Sequence, residues 1–221
     1  MRGIVLACGN TQSPLITDGD RLEVREVPSR PGKAHVDPVL AESGDARLVV
    51  LGTDADLNAV VLRLLRTERL ADVAVGYVPV EPDSAVADLW GLPTDRGRAL
   101  DLALSGEPDR VPLVRDDVGG VLVGLGRLGP VRGVGYADDT VVLRGQASRI
   151  EVVPDRELGL VVRVVNKRLL GSKVKTTAGR AFQLGCLPVE VRSDGVAHPR
   201  PMGKWTWYRH TEDLRLVRGL G

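Results

Sequence analysis

The stretch best suited to chemistry is Gly52-Thr-Asp-Ala-Asp-Leu-Asn-Ala-Val60, which directly follows the apolar run Arg47-Leu-Val-Val-Leu51. A strand, a glycine and then helical spacing is the context of a phosphate-cradling loop. Free N–H groups and the positive dipole end at a helix start can hold an anion there. The loop chemistry fits this less well. Such loops use glycines so that the backbone can approach closely, whereas this one carries Thr53, Ala55 and two aspartates. Asp54 and Asp56 would repel a polyphosphate unless a metal ion intervened, and either can equally serve as the N-cap of the helix. Both readings stand on the residues alone.

Other constellations are weaker. Gly124-Leu-Gly-Arg-Leu-Gly129 matches a dinucleotide fingerprint, but Pro130 and Gly133 follow where a helix should open, so it reads as a glycine-rich turn. Asp116-Asp117 and Asp138-Asp139 have the chemistry of Mg²⁺ ligands, and paired acids beside glycine also have the character of turn residues. His35, His198 and His210 have no spacing that puts two on one helix face, so no metal site is expected. Cys8 and Cys186 are too few for a disulfide framework or a zinc site and read as buried small hydrophobes.

The elements that position these residues follow from periodicity. Gly3 to Cys8 and Arg47 to Leu51 read as buried strands, Arg21 to Val27 as a half-exposed one. Asp37 to Glu42 reads as a short helix with Asp37 as N-cap and Pro38 at its first position. Apolar residues at 57, 60, 61, 64 and 65 predict a helix over 57–70, its first turn near Asp56, and Val73 to Val80 returns to strand. Strand, helix, strand with short loops predicts a parallel α/β layer. After a predicted helix at Asp95 to Leu104 come short Val/Leu runs at 111–114, 118–125, 140–143, 149–153, 158–165, 180–187, 189–192 and 214–217. Such runs without helices predict a β-sandwich or strongly curved sheet. The change of period places a domain boundary near residue 95, giving domains 1–95 and 96–221.

Composition is that of a globular protein with 43% hydrophobic and 27% charged residues. With seven aromatic residues among 221, the core must be built from Val, Leu, Ala and Ile. No apolar run approaches the ~20 residues of a membrane span and no signal peptide is apparent, which predicts a cytoplasmic protein. From Leu160 onward twelve Lys/Arg face four Asp/Glu, a charge of +8, against −7 for the first 159 residues. A basic half suits phosphates or an anionic membrane surface; interleaved aromatics, the mark of a nucleic-acid binder, are missing.

The order of these segments resembles the diacylglycerol kinase catalytic-domain family, the bacterial lipid and sphingosine kinase-like group whose fold is related to NAD kinases. The family's GGDGTLNEV corresponds to GTDADLNAV here, keeping Gly52, Asp54, Leu57, Asn58 and Val60. Its PLGTGNDFA segment corresponds to Pro79-Val-Glu-Pro-Asp-Ser-Ala-Val-Ala87, and its DGE turn to Asp194-Gly195-Val196. The resemblance implies an α/β kinase-like domain followed by a β-sandwich-like domain, with the last strand returning to the first. It implies ATP and Mg²⁺ as cofactors, a nucleotide at Gly52, Thr53, Asp54, Ala55, Asp56, Asn58, Glu81 and Ser84, and Asp194 as the base that deprotonates a lipid hydroxyl. The departures bear on activity. Thr53, Ala55 and Asp56 replace three of five loop residues, Glu81-Pro-Asp-Ser-Ala85 has no glycine, and Val196 replaces the acid of DGE. Phosphoryl transfer is catalysed by positioning and charge neutralisation, so losing several parts together should be severe. Two functions are therefore expected as alternatives: an ATP-dependent lipid kinase, or an inactive relative that binds or regulates, with a homodimer or a peripheral membrane position open in either case.

Overall fold

The computed structural model describes residues 3–9, 11, 22–44, 46–167 and 171–219. These form two compact units, one of residues 1–111 with 212–221 and one of residues 112–211.

The first unit contains β1 (Gly3–Cys8), β2 (Leu22–Val27), α1 (Lys33–Ser43), β3 (Arg47–Gly52), α2 (Asp54–Arg66), β4 (Val75–Pro79), α3 (Ala85–Trp90), α4 (Arg96–Ser105) and β5 (Pro108–Val111). One late strand, Leu214–Val217, joins them. The sheet order is β2-β1-β3-β4, then Leu214–Val217, then β5; all neighbours are parallel except the last pair. Every residue of β1, β3 and β4 is buried, which is why these strands are continuous apolar runs rather than alternating ones. Val5, Ala7, Val49, Leu51 and Val78 form one face and pack with Ala99 and Ala103 of α4. Arg47, buried at the other end of β3, donates to the carbonyls of Ala103 and Leu104 at 3.2 and 2.6 Å and so closes the C-terminus of α4.

Two helix starts differ from the sequence reading. α1 begins four residues before Asp37, with Gly32 as an N-cap that offers no side-chain bond. Asp37 instead accepts a bidentate pair from Arg63 of α2 at 2.8 and 2.7 Å, linking the two helices, and Pro38 lies inside α1. The N-cap of α2 is Thr53 rather than either aspartate. α4 and β5 belong to the first unit, so the period change near 95 lies inside that unit rather than at its edge.

The second unit holds β6 (Val114–Asp116), β7 (Val121–Leu122), β8 (Gly126–Leu128), β9 (Val131–Ala137), β10 (Thr140–Ala147), β11 (Arg149–Asp155), β12 (Gly159–Lys167), β13 (Ser172–Gly179), β14 (Ala181–Val189), β15 (Val191–Ser193), β16 (Val196–Ala197) and β17 (Met202–Arg209). Leu214–Val217 is β18. Two antiparallel sheets result, β10-β9-β14-β17-β6-β7 and β13-β12-β11-β8-β15-β16. One core draws on both: Phe182, Leu184, Trp205 and Trp207 from the first sheet meet Ile150, Val152, Leu160 and Val162 from the second. Trp205 and Trp207 alternate with Thr206 along β17 and both point inward. No helix among the described residues is long and apolar enough to cross a membrane.

Candidate functional site

The sheet of the first unit fixes where a ligand can lie. β1 has β2 on one side and β3 on the other, so the chain reverses direction across the sheet at β1. In open α/β sheets such a reversal leaves a crevice beyond the carboxyl ends of the strands. A crevice of about 390 Å³ lies there, lined by Cys8 and Gly9 at the end of β1, Ser29 after β2, Thr53 and Asp56 after β3, and Pro79 and Val80 at the end of β4. Thr11, Thr94 and Arg96 complete it.

The loop from β3 into α2 is folded by its own side chains. Thr53 and Asp56 make a reciprocal capping box: the Thr53 hydroxyl accepts from the Asp56 amide at 3.3 Å, and Asp56 Oδ2 accepts from the Thr53 amide at 2.8 Å. The Thr53 hydroxyl donates to the same Oδ2 at 2.9 Å, and Oδ1 takes the Arg30 amide at 2.6 Å. Asp56 is only 3% exposed. Gly52 permits this fold-back, since a Cβ there would lie 2.6 Å from Asp56 Oδ2 and 3.0 Å from the Cys8 Cβ. Burial together with the Asp56 charge pushes the Cys8 thiol up to about 12.

Asp54 turns the other way. Its carboxylate accepts from the Tyr77 hydroxyl at 2.8 Å, the Ser84 hydroxyl at 2.5 Å, and the Ala85 and Val86 amides at 2.8 and 3.3 Å. Ser84 is the N-cap of α3 and also accepts from the Ala87 amide at 3.0 Å. The protein's own carboxylate thus occupies the start of α3, with the dipole favouring it.

Of the residues singled out from sequence, Thr53 and Asp56 bond to each other and line the crevice, while Asp54 and Ser84 form a separate group that reaches the Gly52 carbonyl through Tyr77. Ala55 and Asn58 are half-buried on the first two turns of α2. Glu81 is exposed in the turn after β4 and is not part of the crevice wall. Sequence reasoning missed Gly9, Ser29, Thr94 and Arg96; Gly9 and Ser29 follow strand ends, and Thr94 and Arg96 flank the N-cap of α4.

Asp194 lies in the second unit, in the turn between β15 and β16, 1% exposed and with φ +47°. Its carboxylate accepts from the amides of Val123, Gly124 and Leu125 at 2.8, 2.8 and 3.0 Å, and its own amide donates to the Leu125 carbonyl at 3.0 Å. Gly124 to Gly129 is accordingly a loop and strand pinned by Asp194, with no helix behind it. Asp116 and Asp138 likewise anchor turns, accepting the amides of Val118 and Gly120 and of Arg180 and Ala181.

The donor set does not match a Mg²⁺-triphosphate as arranged. The Asp54 carboxylate already accepts four neutral donors of the protein and the Asp56 carboxylate three. Among the described residues no group of three or more His, Cys, Asp and Glu is placed to hold a metal ion.

No protein-family model and no curated protein sequence matches the chain. Solved structures do match in fold. A diacylglycerol kinase from Bacillus anthracis str. Sterne is 12% identical with a TM-score of 0.65, the match covering 99% of this chain and 97% of that one. An NAD kinase from Archaeoglobus fulgidus in complex with ATP is 13% identical with a TM-score of 0.60, over 100% and 94% of the two chains. Yeast NADH kinase complexed with NADH is 9% identical with a TM-score of 0.51, over 98% and 83%. At these identities the likeness concerns the fold, and the chain has the fold of the diacylglycerol kinase catalytic domain and the NAD kinases.

Proposed function

We propose that this chain is a nucleotide-binding protein of the diacylglycerol kinase and NAD kinase fold, working in the cytoplasm, that binds its ligand in the crevice of the first unit and is not built for efficient phosphoryl transfer. The observation that supports binding is the crevice itself, open beside Thr53 where the strand order reverses. Asp54 and Asp56 support the loss of catalysis, because each fills a set of N–H and O–H donors that a phosphoryl group would need.

A second reading is an active ATP- and Mg²⁺-dependent lipid kinase with Asp194 as general base. It is supported by the likeness in fold to a diacylglycerol kinase; the conformation of Asp194 does not add to it, since Asp138 has the same φ and likewise accepts amides in a turn. Incubating the chain with labelled ATP, Mg²⁺ and diacylglycerol vesicles separates the two. No transfer, with nucleotide still raising the melting temperature, supports the first reading. Transfer that disappears in a folded Asp194→Asn variant establishes the second. If no nucleotide raises the melting temperature and no phosphate moves, both fail.

A further inference from the structure

We infer that the free edge of β13 is a docking site for an acidic, extended polypeptide segment, which adds to the sheet β13-β12-β11-β8-β15-β16 as a further strand. The site lies in the second unit and stands apart from the crevice of the first.

The edge itself is the first argument. β13 ends that sheet and pairs with β12 on one side only. Its register with β12 runs without a bulge over all eight residues, and Ser172 to Thr176 are exposed. Alternate N–H and C=O groups on its other side form a regular row with no strand beside it among the described residues. The edge of β10 lacks that regularity, because its pairing with β9 shifts between Val141 and Leu143. The edge strand β2 carries Glu23 and Glu26.

Charge is the second. From Leu158 to Val189 the sequence has six Lys/Arg and no Asp or Glu. Of these, Lys173 and Lys175 lie on β13, Arg163 and Lys167 on β12. Lys175 donates to the exposed Val141 carbonyl at 3.2 Å, which uses one of three ammonium donors. Two carboxylates border this hairpin, and both are engaged: Asp138 beside Gly179 accepts the Arg180 and Ala181 amides, and Glu151 opposite Arg163 pairs with Arg149 and Arg127. Lysines on an edge ordinarily keep strands from pairing. They act through charge, so they repel a basic strand, including β13 of a second copy, and attract an acidic one.

The side-chain pattern is the third. Directly opposed residues share a face, so Lys175 stands beside Val164 and Lys173 beside Asn166 on one face, and Val174 beside Val165 on the other. Val174 is 49% exposed. An added strand with Asp or Glu at alternate positions and a β-branched residue between them sets carboxylates against both lysines and packs on Val174. A bilayer or a nucleic acid offers anions but not the strand that the backbone row pairs with, which makes the ligand a polypeptide.

The test is titration of the full chain into a labelled, capped peptide of alternating glutamate and valine, matched to β13 in length and read by fluorescence anisotropy. The dissociation constant should lie at about 10–100 µM. It should rise about tenfold or more in the double variant Lys173→Gln, Lys175→Gln, whose exposed positions leave folding unaffected. Bound peptide should slow amide exchange along β13 more than elsewhere in the second unit. The same peptide with N-methylated backbone amides keeps its charge and loses its donors, so it should not bind. Equal binding by the N-methylated peptide, or by one alternating lysine with valine, overturns the inference, as does the absence of binding. Phosphatidylglycerol vesicles or polyuridylate bound more tightly than the peptide, and lost in the same double variant, overturn it too and reassign the patch. The nucleotide reading of the first unit is untouched by any of these outcomes.

Discussion

The side chain of Asp54 leaves the first turn of α2 and closes on Ser84 at the start of α3, Oδ1 to hydroxyl 2.5 Å. One carboxylate therefore ties two helix starts, and it holds four donors in all. Asp54→Ala should lower unfolding stability by about 2–4 kcal/mol, the range for losing charge-assisted bonds and a helix-dipole partner. Asp54→Asn, which keeps the acceptor but not the charge, should lose about half as much. Urea midpoints at constant slope measure both; equal losses would show that charge is irrelevant to the tie.

Gly76 of β4 meets α4 at Ala103. A Cβ at Gly76 would lie 2.7 Å from the Ala103 Cβ, 2.8 Å from its carbonyl oxygen and 3.0 Å from its Cα, and backbone atoms of a packed helix cannot move aside cheaply. Gly76→Ala should cost about 2–3 kcal/mol by overpacking. A paired Ala103→Gly should recover part of that loss, an interaction that a double-mutant cycle reads directly.

Replacing Asp194 by alanine strands three amides in a site that is 1% exposed. Unsatisfied buried donors cost about 1–3 kcal/mol each, so the variant should lose about 3 kcal/mol or more. Hydrogen exchange at Val123, Gly124 and Leu125 should accelerate more than elsewhere in the second unit. Unchanged exchange at those amides would contradict the pinning role.

The two thiols should behave differently. Cys8 is buried and its thiol is pushed up to about 12, whereas Cys186 is half-buried and raised by burial alone. At pH 8 about one Cys8 in ten thousand would be thiolate in the folded chain, so iodoacetamide should label Cys186 first, as peptide mass spectrometry can show. The folded state resists ionising Cys8, but the unfolded chain ionises near its ordinary value of 9.0. Stability from this group is thus full below pH 9 and falls as the pH rises from 9 towards about 12. Melting temperatures over that interval should decline less in Cys8→Ala than in the parent.

The parallel layer was legible because full burial on both faces leaves a plain trace, an unbroken run such as Arg47-Leu-Val-Val-Leu51. Leu57, Val60, Val61 and Leu64 gave α2 by their spacing, and each is buried. Starting points were less legible. Thr53 caps α2 four positions before its first apolar residue, and Asp37 resembles a cap only until Arg63 is seen beside it. β13 left no apolar trace: it is an edge strand with Lys173, Lys175 and Thr176 exposed, so neither face demands hydrophobic residues. β9 was hidden by Gly133 and Gly135, which suggest a turn; Gly133 is required instead because the Gly185 carbonyl lies where its Cβ would be. The site was half legible. Gly52 to Asn58 announced itself, whereas the walls at Gly9, Ser29, Thr94 and Arg96 come from separate segments that only the fold assembles.

β18 sits between β4 and β5, pairing with both, although some hundred residues of the other unit intervene after β5. During synthesis the sheet of the first unit must therefore wait, β4 and β5 each unpaired on one edge, until Leu214–Val217 has been made. A nascent chain halted before Leu214 would carry exposed backbone edges on β4 and β5, the surfaces most prone to aggregation. The protein's manufacture is thus sequenced from the inside out, with the inserted unit able to fold before the unit that began first.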